Sequence, residues 1–495
     1  MFENLASGFA IALSPWNVAY AGFGAVLGTA IGVLPGLGPP ATIAMLLPLT
    51  YGMEPVSAVI MLAGIFYGAM YGGSTTSILL NIPGEAGSVV TCLDGYRMTR
   101  SGRAGAALGV AAIGSFIAGT LGVVGLSLIS PILADFALRF GPAEYFSLVL
   151  LGLTMAVYLS GGSALKGLVM TVLGLILGTV GLDPVLGAER FTFGLSNLTD
   201  GLDFVVVAMG LFGIAEVLSN LESPEHPVTL KTGIKSILPT REDWKRAWGP
   251  IARGSFFGFF IGILPGGGAI ISSFVSYAVE KRISKHPEQF GQGAIEGVAA
   301  PESANNAASV SSFIPLLTLG IPGNASIAMI LVALMIHGIR PGPQLIAEHP
   351  DVFWGAVASM YLGNFMLLAL NLPLVGLWVK LLRVPYSLLA LVVAVICVVG
   401  AYSVHNSTFD VGVMIGFGIF GYLLRKTGFP AAPLVLAMIL GPILERSLQQ
   451  AMISSAGDPL IFVTHPLSAA LLAVAALVAL TPLIGLLRGG AAKPA

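Results

Sequence analysis

Uncharged apolar runs long enough to cross a bilayer recur along this chain, and they restrict its fold more than any other feature. Residues 104–133, 205–218 and 388–400 carry few or no charged side chains. A bilayer-spanning helix needs about 20 predominantly apolar residues, and about 12 transmembrane helices can be placed on that basis. Barrel strands would instead alternate over about ten residues. Only 9% of the 495 residues are charged, against roughly a quarter in soluble domains. The expected fold is an all-α polytopic membrane protein in the lipid bilayer, with broken or re-entrant segments among the full spans.

Composition and motifs also exclude function classes. Net charge is −1 and no basic stripe with interleaved aromatics occurs, so no nucleic-acid partner is expected. Cys92 and Cys397 lie far apart, which suggests neither a disulfide framework nor a zinc knuckle. The six histidines fall mostly in loops without ligand spacing, so neither a metal nor a cofactor is expected. GFGIFG at 416–421 spells a dinucleotide fingerprint, but inside an apolar helix with no preceding strand it is a packing pattern. No Walker A motif or GxSxG elbow is present, which leaves ATP-driven pumping and serine hydrolysis unsupported.

Basic residues collect in cytoplasmic loops. Arg97, Arg100 and Arg103 mark one such loop, and Lys231, Lys235, Arg241, Lys245, Arg246 and Arg253 another. Asp183, Glu189, Asp200 and Asp203 make an intervening loop acidic and external, and the tail with Arg488 and Lys493 reads as cytoplasmic. Residues 1–4, MFEN, lack the basic n-region of a secretory signal, so a retained N-terminus is expected. The expected division is a first repeat half with following helices at 1–220 and a cytoplasmic linker at 221–253. A second repeat at 254–351 and a C-terminal helical segment at 352–495 complete it. An amphipathic helix is expected near 243–247 of the linker.

Self-similarity is the most informative pattern. GVLPGLG at 32–38 returns as GILPGGG at 262–268 after a shift of 230 residues. IPG at 82–84 returns at 321–323 after a shift of 239. The order is the same, and the nine surplus residues fit the polar stretch EKRISKHPE at 280–288. Copy one ends in a basic loop, whereas copy two begins in one. That opposite polarity suggests inverted repeats, as in many secondary transporters.

Pro and Gly within apolar segments interrupt helices, and in lipid the freed backbone is tolerated only against protein or a water-lined cavity. Each half has two interruptions. They contain Pro35, Gly36 and Gly38 with Asn81, Pro83 and Gly84 in copy one, and Pro265, Gly266 and Gly267 with Pro322 and Gly323 in copy two. Half-helix N-termini there would offer N–H groups and a positive dipole end to an anion. Polar side chains gather beside them: Ser74, Thr75 and Thr76 in GGSTTS at 72–77, and PESANNAASVSS at 301–312 as its counterpart. Glu302, Asn305, Asn306 and Ser309 fall at i, i+3, i+4 and i+7, one helical face. An ionisable group at such depth marks a functional site by default, and its oxygens suit a hard cation such as Na⁺. Kinks used only for packing, with serines as interhelical hydrogen bonds, are the plain alternative; paired register of four interruptions disfavours it. Glu54 and Glu296 read as interfacial.

The strings GVLPGLGPPATIAMLLPLTYG (32–52), YGAMYGGSTTSILLNIPGEAGSVVTCLDGYRM (67–98) and PESANNAA with PLLTLGIPG (301–323) resemble the large membrane subunit of the tripartite tricarboxylate transporter family. The similarity runs from about residue 15 to about residue 480, and the last third is only generically hydrophobic. The resemblance implies a bacterial inner-membrane permease, served by a periplasmic solute-binding protein and completed by a small membrane subunit of about four helices. It implies uptake of small-molecule carboxylates, tri- or dicarboxylates among them, coupled to Na⁺ or H⁺ by alternating access. The motif pairs would line the substrate and ion sites. A passive anion channel and a standalone carboxylate transporter are the competing readings. An intramembrane enzyme would need a nucleophile–base pair that the spans lack.

Overall fold

The computed structural model describes residues 2–34, 38–159, 163–183, 187–222, 238–265, 268–381 and 386–487. Among these, eight helices are long and apolar enough to cross a membrane, and five shorter apolar helices accompany them. The one sheet among the described residues is a two-stranded ribbon pairing Gly181–Leu182 with Glu189–Arg190. The chain is thus an all-α polytopic membrane protein. Pro15, Pro39 and Pro55 each open a helix, where the missing N–H has no intrahelical partner to lose.

By contact, the chain forms two compact units, Met1–Asp135 with Val205–Tyr422, and Phe136–Phe204 with Leu423–Ala495. Both are discontinuous, so contact groups the chain differently from the linear division by kinship expected above. In the smaller unit, Pro142–Leu159 and Ala164–Gly178 accompany Ala431–Ser454 and Pro466–Leu487. Arg190 of the ribbon pairs with Glu445 at 2.6 Å and Asp183 at 3.3 Å, and Ser147 meets Ser468 at 2.7 Å.

The larger unit contains both copies of the repeat, and their helices correspond. Pro15–Val33, Pro39–Thr50 and Pro55–Leu80 in copy one answer to Arg241–Gly262, Gly268–Ile283 and Glu296–Ser311 continued by Phe313–Leu319 in copy two. In copy one, Gly24, Gly28 and Gly32 press against the carbonyls of Met61, Ile65 and Ala69; in copy two, Gly254, Gly258 and Gly262 press against Ala300, Ala304 and Ala308. The first set of glycines maps onto the second by 230 residues and the carbonyls by 239, the two shifts read from the motifs. Small residues at i and i+4 allow this backbone approach between membrane helices. The surplus of copy two lies between Gly268–Ile283 and Glu296–Ser311.

Much of the expected linker, residues 223–237, lies outside the described residues. The amphipathic helix expected near 243–247 is instead the first part of Arg241–Gly262, which continues as a core helix. A capping box starts it: the Thr240 hydroxyl accepts from the Asp243 N–H, and the Asp243 carboxylate accepts from the Thr240 N–H. Arg103 donates to the same carboxylate. GFGIFG does pack: a side chain at Gly418 would strike Ile214 and one at Gly421 would strike Ala215 and Leu211, on a helix loosened into π form over Met209–Ile214.

Candidate functional site

The interruptions fall where the motifs place them, and the second one is built alike in both copies. Pro55–Leu80 ends at Asn81, and Phe313–Leu319 ends at Gly320; both caps are left-handed, with φ of 62° and 71°. Asn81 and Gly320 are themselves related by the 239-residue shift. Only Gly, and less readily Asn, enters that region cheaply. Four residues beyond each cap, a side chain closes the next helical start: the Glu85 carboxylate accepts from the Gly87 N–H, and the Asn324 side chain from the Ile327 N–H at 3.0 Å. At the first interruptions, Pro35, Gly36, Gly266 and Gly267 lie outside the described residues. Gly38 precedes Pro39–Thr50, and its carbonyl accepts from the Thr42 hydroxyl. Pro265 sits in the turn after Arg241–Gly262.

In copy one the two interruptions touch. A Cβ at Gly84 would overlap the Gly32 carbonyl oxygen and lie 2.5 Å from the Gly73 Cα. Thr76 donates to the Val33 carbonyl at 2.8 Å and so satisfies an acceptor freed at the first interruption, as burial in lipid demands. Copy two is looser. A Cβ at Gly323 would meet only the Ser312 Cβ, at 3.7 Å, so no backbone approach like that at Gly84 occurs there. Its accessibility also differs. Gly320, Ile321, Pro322 and Gly323 are buried, whereas Asn81 and Pro83 are exposed.

The copies meet crosswise. Pro39–Thr50 packs against Ala325–Ile336, and Gly268–Ile283 packs against Ala86–Ser88. Hence each copy's first half-helix lies on the segment after the other copy's second interruption. The equivalent long helices run in opposite senses, since Ser74 bonds Glu302 while the earlier Phe66 ring faces the later Phe313 at 6.1 Å.

At this crossing lies a buried polar cluster. Glu302, completely buried, accepts from the hydroxyls of Ser74 and Thr91. Asn305 donates to Glu85 at 2.8 Å; its own Oδ1 is buried with no partner among the described residues. Gly87 faces that oxygen, and a Cβ there would lie 2.7 Å from it. Asn306 donates to Ser115 at 2.7 Å and to the Glu302 carbonyl at 3.0 Å. A polar cavity of about 10 Å³ beside Ser74 is lined by Thr75, Tyr71, Ser115 and Asn371; that is about the room one water needs.

Of the residues singled out from sequence, the fold therefore brings Ser74, Glu302, Asn305 and Asn306 together. Ser309 turns back on its own helix and donates to the Asn305 carbonyl at 2.9 Å. The register of the copies pairs 72–77 with 311–316, so only Ser311 and Ser312 of the polar stretch are true counterparts of GGSTTS. Sequence reasoning missed Glu85, Thr91 and Ser115. Glu85 directly follows IPG, and an acid beside a helix break is a signal that could have found it; Thr91 and Ser115 had none.

Two carboxylates, Glu85 and Glu302, thus share this cluster, and among the described residues no basic side chain pairs with either. A buried anion without a cationic partner is costly, so the arrangement suits an exchangeable cation or proton. It also alters the expected anion site: the positive start at Ala86–Ser88 is taken by the protein's own Glu85.

A third carboxylate, Asp94, is fully buried and joins the copies. It accepts from the N–H groups of Gly291, Gly293 and Ala294 at 2.8–2.9 Å and from the Tyr277 hydroxyl at 2.9 Å.

Comparison with known proteins agrees with this picture. The profile of the tripartite tricarboxylate transporter TctA family matches residues 18–436. An Agrobacterium vitis protein named "Uncharacterized 52.8 kDa protein in TAR-I ttuC' 3'region" is 52% identical over 477 residues, covering 96% of this chain and 94% of that protein. A second from the same organism, "Uncharacterized protein in TAR-II ttuC' 3'region", is 52% identical over 230 residues, 46% of this chain and 95% of that protein. No solved structure matches. The chain is a multi-pass membrane protein that belongs to the tripartite tricarboxylate transporter TctA family.

Proposed function

We propose that this chain is the large membrane subunit of a binding-protein-dependent secondary transporter that takes up organic di- or tricarboxylates with Na⁺ or H⁺. A periplasmic solute-binding protein would deliver the substrate, and a small subunit of about four helices would complete the permease in the bacterial inner membrane, with its C-terminus in the cytoplasm. The observation that carries the reading is the Glu302 cluster, which lies where interrupted helices of both copies cross. Glu302, Glu85 and the free Asn305 Oδ1 offer hard oxygens for Na⁺, or a carboxylate for H⁺. Of the remaining half-helix starts, Gly268 offers N–H groups to a carboxylate substrate, Ala325 offers those that Asn324 does not cap, and the start at Pro39 is limited because Pro39 and Pro40 carry no N–H. This divides the site into a cation side, with Glu302, Asn305 and Asn306 joined by Glu85, and an anion side at Gly38, Pro265, Pro322 and Gly323.

Crosswise pairing and opposed helices support inverted repeats. Exposure of Asn81 and Pro83 against burial of residues 320–323 supports access from one side at a time, the condition that distinguishes a transporter from a channel. The test is uptake of labelled citrate by vesicles holding all three components under an imposed ion gradient. Accumulation that collapses when an ionophore removes the gradient is the expected result. Flux that only equilibrates citrate, with or without the ionophore, identifies a passive channel.

A further inference from the structure

A cavity lined by two arginines lies beside the Glu302 cluster, and its assignment rests on the carboxylate reading above. A cavity of about 310 Å³ is bounded by Asn81, Cys92, Tyr96, Arg97, Arg100 and Gly291, within the range of about 300–1,000 Å³ typical of small-ligand pockets. Thr91–Arg100 forms its wall. Thr91, at one end of this helix, donates to Glu302, while Arg97 and Arg100 stand at the other end, three residues apart and so on one face. Ten residues of helix span about 15 Å, so the basic cavity lies directly beyond the buried cluster, on the side that the basic loops assign to the cytoplasm.

The arginines here differ from their neighbours. Arg103 pairs with Asp243, Arg246 with Glu296 at 2.8 Å, and Arg253 with Glu280 at 2.6 Å. Arg97 and Arg100 are exposed and make no ion pair among the described residues. Two unpaired guanidinium groups at one cavity match a molecule carrying two or more carboxylates, because each can bind a carboxylate bidentately. We infer that Arg97 and Arg100 form a cytoplasmic-side release site that holds a di- or tricarboxylate after it leaves the central site. Asn81, the left-handed cap of the second interruption, links the two sites, since it lies both at the break and in the cavity wall.

Cys92 supplies a native reporter. It lines this cavity and is partly exposed, while Cys397 is buried. In the full-length chain held in nanodiscs of neutral lipid, the rate of Cys92 alkylation by N-ethylmaleimide is measured by mass, with Cys397 as the slow internal control. Citrate is expected to slow Cys92 alkylation about tenfold, and acetate to do so far less. Arg97→Gln and Arg100→Gln are each expected to raise the citrate concentration needed for protection about tenfold, the size of one charge-assisted hydrogen bond. Protection is read in each variant against its own rate without citrate, because losing a nearby guanidinium also lowers the thiolate fraction of Cys92. Three results overturn the inference: no protection by citrate, protection that survives in the double variant, or occlusion of Cys92 by anionic phosphatidylglycerol nanodiscs to which citrate adds nothing. The last would assign the arginines to lipid headgroups. Citrate uptake by the complete system, measured in parallel, separates the two levels. Uptake without protection removes the release site alone, whereas no uptake of any di- or tricarboxylate removes the carboxylate reading and this site with it.

Discussion

Replacing Gly84 with alanine tests the contact between the two interruptions of copy one. The added Cβ would overlap the Gly32 carbonyl oxygen and sit 2.5 Å from the Gly73 Cα. Both obstacles are backbone, so neither can rotate aside, and the chain must move one interruption off the other. Overpacking in a well-filled interior costs about 1–3 kcal/mol, and two rigid backbone neighbours place Gly84→Ala near the upper end. About 3 kcal/mol lowers the share of chains in the native arrangement about 100-fold. Gly323→Ala is the matched control. Its Cβ would meet only the Ser312 Cβ at an ordinary 3.7 Å, and the expected cost is within about 0.5 kcal/mol. The assay is initial citrate uptake, normalised to the amount of protein in the membrane, with thermal stability of the purified variants alongside. Thermal stability is expected to drop by the full cost in Gly84→Ala and to stay within about 0.5 kcal/mol of wild type in Gly323→Ala, with uptake down at least tenfold in Gly84→Ala. Equal stability of the two variants, whether both impaired or both intact, would refute the reasoning.

Four further outcomes follow from the same geometry. Asp94→Ala removes the acceptor for three N–H groups and a hydroxyl; at about 1 kcal/mol for each hydrogen bond lost, the variant should lose about 3 kcal/mol, read as a large drop in melting temperature and membrane yield. Ser309→Ala should leave both uptake and its cation dependence within about twofold of wild type, because the hydroxyl serves only its own helix, while Thr76→Val should cost about 1–3 kcal/mol by orphaning the Val33 carbonyl. Burial pushes the Asp243 carboxyl up, but hydrogen bonds from Thr240 and Arg103 outweigh it and hold the group below the ordinary carboxylate range. Its folded value lies below its unfolded one, so its stabilisation is complete above the unfolded value and is lost as pH falls through the folded one; the melting-temperature gap between wild type and Asp243→Asn should therefore close as pH drops below about 4.

The parts of this molecule that could be read from its sequence are those written in local chemistry. Interruptions were legible because Pro and Gly clustered together favour a break over a helix, although single prolines such as Pro48 and Pro301 stay within helices, and the two motif shifts turned out to set the glycine–carbonyl register along whole helices. Glu302 stood out because a carboxylate amid apolar residues has no bland explanation. Of its two hydroxyl partners only Ser74 stood out. Thr91 and Ser115 are ordinary residues until the fold carries them beside a helix some two hundred positions away. Glu85 was hidden differently: as an acid at a helical start it looks like a cap, which it is, and only the approach of Asn305 gives it a second role. Ser309 shows the converse, a residue on the right helical face whose hydroxyl bonds backwards. Gly323 shares a motif with Gly84 but not its neighbours, since the position that is Gly73 in copy one is Ser312 in copy two.

Cation-driven accumulation by Glu302→Gln tests the central claim most directly. The substitution keeps the side chain's size and removes its charge, so the protein should insert and fold while losing the group that exchanges Na⁺ or H⁺. Under an imposed gradient, wild-type vesicles should concentrate labelled citrate, and those with Glu302→Gln should show none of this concentrative uptake. Gradient-driven accumulation equal to wild type would contradict the account.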